Sequence, residues 1–513
     1  MTNPYRIHIE PLHGRVTARR NGTVLASSDK ALVMYETRLA PAIYFPNDDV
    51  VAPLGDLSDL KTFCPFKGTA RYHDLVLADE RLSNAVWSYH SALPESRAIQ
   101  GHFAFMPGVV TDMDLGDNIL CQQETGHISG PVIDWLLRDA AFIATPEEFT
   151  AALALKLREH GVYLSRLSVM LWSLHPLIAG KNYIWEQGAK EVSVYAPSYE
   201  IHDHPSYMNS PLRHVSSGLG GIRRKLGAED YSSNSFPIIE DLRAKGATDY
   251  VAMPMPFSDG RRNVLTLTSD HPDGFNTANL GLVFECSNVI SRFYEVFMQK
   301  ENAQSLLETY VGKRTGARVL GGEIRRGDGD EIDAAIMFCD LHDSTRLAEK
   351  LGQSDYITLL NQFFETSSTI IHDHGGEVLK FIGDAVLAVF PAGDDAKAAC
   401  AQALRAARAI VDHSADRENA ASLHDYECSI GIAFGRVTYG NVGSRERLDF
   451  TVIGQAANLA ARLNDYAKRN NHGIVVTRDV AGTREDMIEL GPLRLHNMSD
   501  TVHGYVAKVP AVA

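Results

Sequence analysis

Apolar and polar positions change period several times along the chain. At the start, Ile7 and Ile9 alternate with polar neighbours, and RVTAR and TVLAS flank Asn21-Gly22, a two-residue hairpin signal. Short apolar-rich segments follow (YFPNDDV, FCPFKGTARYHDL, AVWSYHSALPE, GHFAF), so residues 1–106 predict a small, mostly-β domain. Residues 107–145 carry Pro107, Gly108, Gly116, Gly126, Gly130 and Pro131 and predict a connector. From residue 146 the pattern is helix (PEEFTAALALKLREHG), strands (LSRLSVMLWSL, EVSVYAPS), helix (PIIEDLRAKG) and strands (DYVAMPMPF, RNVLTLTSD), a domain over 146–300 that ends in a long helix from about Asn276. That helix carries Leu282, Cys286, Val289, Phe293, Val296, Lys300, Ala303, Leu307 and Tyr310 at alternating steps of four and three. Such a seam fits a helix paired with a copy of itself over 282–310. A single amphipathic helix packed on its own domain fits equally, because Lys300 and Ala303 weaken the seam. Residues 301–332, including GKRTGARVLGGEIRRGDGDE, predict a helical and glycine-rich, hinge-like linker. Residues 333–509 then read β-α-α-β-β-α-β, a ferredoxin-like order. The fold class is multidomain α+β.

Composition narrows the functions. The 513 residues carry a formal net charge of −15, which argues against the basic footprint of a nucleic-acid binder. Cys64, Cys121, Cys286, Cys339, Cys400 and Cys428 are scattered, without a C-x-x-C pair. Cys64, His73 and His102 lack the spacing of a metal site and predict buried or surface side chains. LSVMLWSLHPLIAG, the longest apolar stretch, is interrupted by His175 and Pro176 and too short to span a bilayer. MTNPYRIHIE lacks a signal-peptide pattern, so the expected location is the cytoplasm.

Candidate chemistry concentrates in the last third. The strand DAAIMFCD runs into Leu341, His342, Asp343, Ser344 and Thr345, with Ser344 or Thr345 starting a helix whose free N–H groups suit phosphate. Asp340 ends that strand. In GGEVLKFIGDAVLAVF, two strands meet at Gly383-Asp384, which puts Asp384 at a hairpin tip. Alone, each aspartate is an ordinary cap or turn residue. On adjacent strands the two would repel unless cations lay between them, the arrangement by which phosphoryl enzymes hold two metals. Val378, Lys380 and Ile382 share a face by period two, and a lysine so placed needs a partner there. Further on, DFTVI turns at Gly454 into a helix on which Asn458 and Arg462 share a face, with Leu459 and Leu463 on the adjacent, buried one.

FCDLHDST, GGEVLKFIGDAVLAVF and DFTVIGQAANLAARL, in that order and spacing, resemble the class III adenylyl and guanylyl cyclases over residues 333–509. The resemblance implies conversion of ATP to 3′,5′-cyclic AMP and pyrophosphate by a homodimer with two divalent cations, Mg²⁺ or Mn²⁺. It implies that Asp340, Asp384 and the Leu341 carbonyl bind the metals, and that Lys380 and Thr451 read adenine. Asn458 would orient the ribose, Arg462 stabilise the α-phosphate, and the backbone of His342, Asp343, Ser344 and Thr345 cradle the triphosphate. Thr451, where many members have aspartate, resembles the subgroup that includes bicarbonate-responsive cyclases. The family's Leu-Lys-Gly clamp is replaced by PLRLHNMSD, where Arg494 or His496 could substitute, and its Val-Asn by Ala457-Asn458. Residues 1–106 resemble a family catalogued as domain of unknown function 427, and 146–300 resemble GAF sensor domains, which implies a small-molecule effector.

Overall fold

Asn21 and Gly22 both adopt positive φ, 48° and 85°, as a tight two-residue hairpin turn requires, and the strands Val16–Arg20 and Thr23–Ser28 close on them. The computed structural model describes residues 5–78, 80–121, 130–227, 236–415, 426–496, 498 and 501–507. The chain divides into two compact units, 1–302 and 303–513. Gly126 of the expected connector, and Asn497, Ser499 and Asp500 of PLRLHNMSD, lie outside the described residues. Among the described residues no helix is long and apolar enough to cross a membrane.

The first unit opens with a β-rich region: a seven-stranded sheet from Ile7 to Phe105 and a three-stranded sheet. The three-stranded sheet takes in Asp112–Asp114, so part of the expected connector is strand. A second, six-stranded antiparallel sheet follows, in the order Ser193–Tyr195, Gly180–Glu186, Arg166–Trp172, Arg262–Ser269, Asp249–Pro256, Ile222–Lys225. The helices Pro146–Glu159 and Thr277–Val311 pack together in its core. Phe149 stacks on Phe293 at 4.9 Å, and the Thr150 and Tyr294 hydroxyls hydrogen-bond at 2.8 Å. Val283, Cys286, Ile290, Tyr294 and Met298 of the long helix are buried in this unit, whereas Val296 and Tyr310 of the predicted seam are exposed.

Arg223 is buried where the two sheets of this unit meet. Its guanidinium donates to Glu95 (2.8 Å) and the Pro65 carbonyl (3.2 Å) on one side, and to Asp249 (3.1 Å) and the Phe275 carbonyl (3.0 Å) on the other. Burial pushes the Asp249 carboxyl above its usual range, and Arg223 is the cation that answers it.

In the second unit the linker is less open than its glycines suggest. The long helix ends at Val311, Gly312 turns at φ 87°, and a short helix, Lys313–Leu320, follows. Arg318 holds this helix down: its guanidinium donates to Asp330 at 2.7 Å and lies 5.3 Å from the ring centres of both Tyr439 and Phe450.

The rest of the unit is one sheet with helices on both faces. Its strands are β1 (Gly329–Leu341), β2 (Glu377–Ile382), β3 (Ala385–Pro391), β4 (Cys428–Gly443), β5 (Leu448–Ile453), β6 (Ile474–Thr477), β7 (Met487–Leu493) and β8 (Val502–Ala507). The order is β2-β3-β1-β4-β6-β8-β7, with β5 paired to β4. The main helices are α1 (Ser344–Leu351), α2 (Gln353–Asp373), α3 (Ala396–Ala415) and α4 (Gln455–Arg469). Met337 and Cys339 of β1 join the core of α2 and α3, and Ala334 and Ile336 join the core of α4. A strand buried on both faces is nearly all apolar, as DAAIMFC is. Gly431 on β4 lets α4 approach: a Cβ there would lie 2.2 Å from the Ala460 carbonyl oxygen.

All four tryptophans (Trp87, Trp135, Trp172, Trp185) lie in the first unit, so their fluorescence follows its unfolding alone. Arg223→Met should lower that unit's stability in urea by about 3–5 kcal/mol, the cost of leaving a buried carboxylate unpaired. An unchanged midpoint would show that the network does not join the two sheets.

Candidate active site

Strand register brings the two predicted aspartates together. On β1, Asp340 pairs with Ala385 of β3 and with Ser429 of β4. Ala385 immediately follows Asp384, and the β2–β3 hairpin is closed by Gly383 and Asp384 alone, with Gly383 at φ 64°. The two carboxylates therefore sit side by side at the end of the central strands, although 44 positions apart in sequence. Burial, and then the nearby Asp384, push the Asp340 carboxyl above its usual range, against the pull of Lys468. Burial also acts to raise Asp384, but Ser344 and Asp340 outweigh it and hold Asp384 below its usual range.

Each carboxylate has an oxygen left over. Asp340 Oδ1 and Asp384 Oδ2 are buried without a hydrogen-bond partner. An orphaned, anionic, buried oxygen is costly, and two on neighbouring carboxylates suit a cation. Leu341 is fully buried beside them, and His342 donates its backbone N–H to the Glu427 carbonyl at 2.8 Å. Burial first, with Lys468 adding to it, lowers the His342 imidazole below its ordinary value. Asp343 stands in the left-handed region at φ 50° and caps α1, which starts at Ser344; Asp343 and Thr345 are exposed. Among the described residues no group of three or more His, Cys, Asp and Glu is placed to hold a metal, so the candidate site is this carboxylate pair and its backbone. In the first unit, His73 and His102 face backbone carbonyls instead (Gly55 and Gln100), and Cys64 is buried with its thiol pushed up to about 11.

Lys380 meets its partner, but not by the expected alternation. A bulge between Val378 and Lys380 breaks the period of two, and the buried residues of β2 are Glu377 and Leu379. The Lys380 ammonium pairs with Asp449 on β5. Thr451 lies two positions beyond Asp449 on the same strand, so the two base-reading candidates share one neighbourhood.

Asn458 and Arg462 are not brought to the aspartates. Both lie on the outer side of α4, whose inner side is Ala456, Ala457, Ala460, Leu463, Asn464 and Ala467. Asn458 is exposed, and Arg462 is half-exposed and donates to Asp465 at 3.1 Å. Leu459 is only half-buried, whereas Leu463 is fully buried. It is the other end of α4 that reaches the site: the Lys468 ammonium donates to Asp340 Oδ2 at 2.8 Å. Lys468 was not among the residues that the sequence pointed to, since a lysine in the last turn of an amphipathic helix reads as solvated surface. Arg494 and His496 are exposed beyond β7, four strands across the sheet from β1, and are not assembled with the carboxylates.

Residues 330–489 match the sequence model of the family described as the adenylate and guanylate cyclase catalytic domain, and residues 8–116 match a domain of unknown function, DUF427. Among curated relatives, an uncharacterized protein of Mycobacterium tuberculosis, Rv1320c, is 35% identical over 194 residues, 38% of this chain and 33% of the relative. A second from the same organism, Rv1319c, is 33% identical over 181 residues, 35% of this chain and 33% of the relative. The chain spans about a third of the length of these relatives. Among solved structures, a bacterial light-regulated adenylyl cyclase is 26% identical, with TM-score 0.37, over 42% of this chain and 64% of that one. The adenylyl cyclase CyaB from P. aeruginosa is 26% identical, with TM-score 0.31, over 35% of this chain and 94% of that one. The guanylate cyclase domain of RhGC from Catenaria anguillulae is 18% identical, with TM-score 0.31, over 35% and 100%. The chain thus carries a class III nucleotide cyclase catalytic domain at residues 330–489 and a DUF427 domain at its N-terminal side.

Proposed function

We propose that this chain is an adenylate cyclase that converts ATP to 3′,5′-cyclic AMP and pyrophosphate as a homodimer with two divalent cations, Mg²⁺ or Mn²⁺. The observation that carries this reading is the side-by-side placing of Asp340 and Asp384, each with a buried, unpartnered oxygen. Asp340, Asp384 and the Leu341 carbonyl would hold the cations. Bound there, the cations would favour loss of the ribose 3′-hydroxyl proton and neutralise the leaving phosphates. Of the predicted cradle His342 to Thr345, the His342 N–H is held by the Glu427 carbonyl, so the backbone N–H groups from Asp343 to Thr345 would meet the triphosphate. Lys380 donates to a ring nitrogen of adenine, and Thr451 accepts from its amine. Asn458 orients the ribose, and Arg462 neutralises charge on the α-phosphate as the 3′-oxygen attacks in line and pyrophosphate leaves. Arg494 remains a candidate contact to the triphosphate.

One chain does not assemble these parts. Lys468 fixes the C-terminal end of α4 at Asp340, and Asn458 lies ten residues nearer the other end, about 15 Å along the axis. The site would therefore be completed by α4 of a second copy, with two equivalent sites per twofold dimer. The exposed seam residues Val296 and Tyr310 suit pairing of the long helix in the same dimer.

Regulation would come from the first unit. The six-stranded sheet with its flanking helices supports the GAF-like reading of residues 146–300. A cavity of about 590 Å³ in that unit is walled by Tyr5, Arg38 and Phe63 and, on the long helix, by Phe284, Glu285 and Asn288. A small-molecule effector bound there would touch the helix that runs on toward the catalytic domain.

Asp340→Ala and Asp384→Ala should each abolish cyclic AMP formation with Mg²⁺ while the fold persists by circular dichroism; substantial turnover in either would defeat the two-metal reading. The chain should also favour ATP strongly over GTP, because the wrong base edge leaves polar groups of the site unpaired. Equal kcat/KM for the two nucleotides would remove Lys380 and Thr451 as base readers. Mixing inactive Asp340→Ala with inactive Arg462→Ala should restore about a quarter of wild-type activity, since half the dimers are then mixed and each has one intact site. No recovery, with subunit exchange demonstrated, would mean that each chain completes its own site.

A further inference from the structure

Two partly buried carboxylates side by side need compensating positive charge whether or not a metal is present. In this chain a built-in cation stands there. Lys468 lies in the last turn of α4, where the helix dipole favours positive charge, and its neighbours Asn464 and Ala467 are buried against the sheet. Its ammonium is 2.8 Å from Asp340 Oδ2, and both side chains are largely withdrawn from solvent, 33% and 18% exposed. The opposite oxygen, Oδ1, and Asp384 Oδ2 stay unpartnered, so the lysine satisfies part of the site and leaves room for more charge. Lys468 is also close enough to His342 and Asp384 to act on both electrostatically. It thus lies close to both the carboxylate pair and His342, the first residue of the proposed cradle for the triphosphate.

We propose that Lys468 is an exchangeable counter-ion of the active site: it holds Asp340 when no metal is bound and transfers to the nucleotide's triphosphate when divalent cations take the carboxylates. Charge balance favours the exchange. Two divalent cations on two carboxylates leave a net +2, so Lys468 is repelled from Asp340 just as a tetra-anionic triphosphate arrives beside it. The lysine then serves a role for which Arg494 and His496 are not assembled with the carboxylates. The inference rests on the cyclase reading for the identity of the phosphate ligand, but not for the competition with metal.

The test is binding by the full chain, with no turnover required. Mn²⁺ affinity is measured without nucleotide by electron paramagnetic resonance. Affinity for α,β-methylene-ATP is measured at saturating Mn²⁺ by calorimetry. Lys468→Met and Lys468→Gln should bind Mn²⁺ about three- to tenfold more tightly, because a competing cation is gone, and the nucleotide analogue about three- to tenfold more weakly. Lys468→Arg should stay near wild type in both. Opposite signs are the signature, since a damaged fold weakens both affinities together. Mn²⁺ affinity that is unchanged or weaker in both neutral variants overturns the proposal, as does unchanged affinity for the analogue. Wild-type protein that forms no cyclic nucleotide would defeat the cyclase reading instead, and the Mn²⁺ comparison would still stand.

Discussion

Two acidic side chains held next to each other in a partly buried site repel, and much of the C-terminal unit is built around that repulsion. Nothing in the chain lets them drift apart. Asp340 is fixed by pairing on both sides, and Asp384 by a hairpin with no spare residue. A slip of β1 by one position would exchange the residues facing α2 and α3 with those facing α4, and both faces are packed. The register is therefore held by the core, and the core keeps the carboxylates in contact. What remains adjustable is the cation that answers them, Lys468 on Asp340.

The same constraint divides α4. Gly431 lets the helix lie close on β4, and the close approach brings its last turn to Asp340. A rigid helix anchored at that end cannot also present Asn458 to the same aspartates, because ten residues of rise intervene. The end that answers the repulsion and the end that bears the proposed ribose and phosphate contacts are thus committed to different places. In this reading, dimerisation follows from helix geometry rather than being added to it.

Local chemistry made some of this legible in the sequence. Asn21-Gly22, Gly383-Asp384 and the apolar run DAAIMFC each carry their structure within a few residues, so the hairpins and the central strand could be placed. Features that depend on distant partners could not. Lys468 meets Asp340 across 128 positions and has no local mark. The bulge at Val378–Lys380 arises from pairing with β3 and is invisible to a strict period of two. The linker reads as helical and glycine-rich, but nothing local marks that its helix, Lys313–Leu320, is held where Arg318 finds Asp330 and two aromatic rings. Of the long helix's two sequence readings, the packed one holds for Cys286 while Val296 and Tyr310 stay open to a partner.

A protein of net charge −15 that binds a polyphosphate must keep its few useful cations from being either neutralised or indiscriminate. Three of those that the proposals assign to the nucleotide are occupied in the free chain: Lys380 by Asp449, Arg462 by Asp465 and Lys468 by Asp340. The first two pairs each have an exposed carboxylate, which makes them weak, and the third is the one that the proposed exchange opens. A bare anion would have to break such pairs while facing the uncompensated carboxylates of Asp340 and Asp384. In the proposed exchange a metal-bound nucleotide brings the charge that those carboxylates lack, and Lys468 is freed as it arrives. On that proposal, selectivity for the metal complex over other anions would follow from where the acidic partners sit.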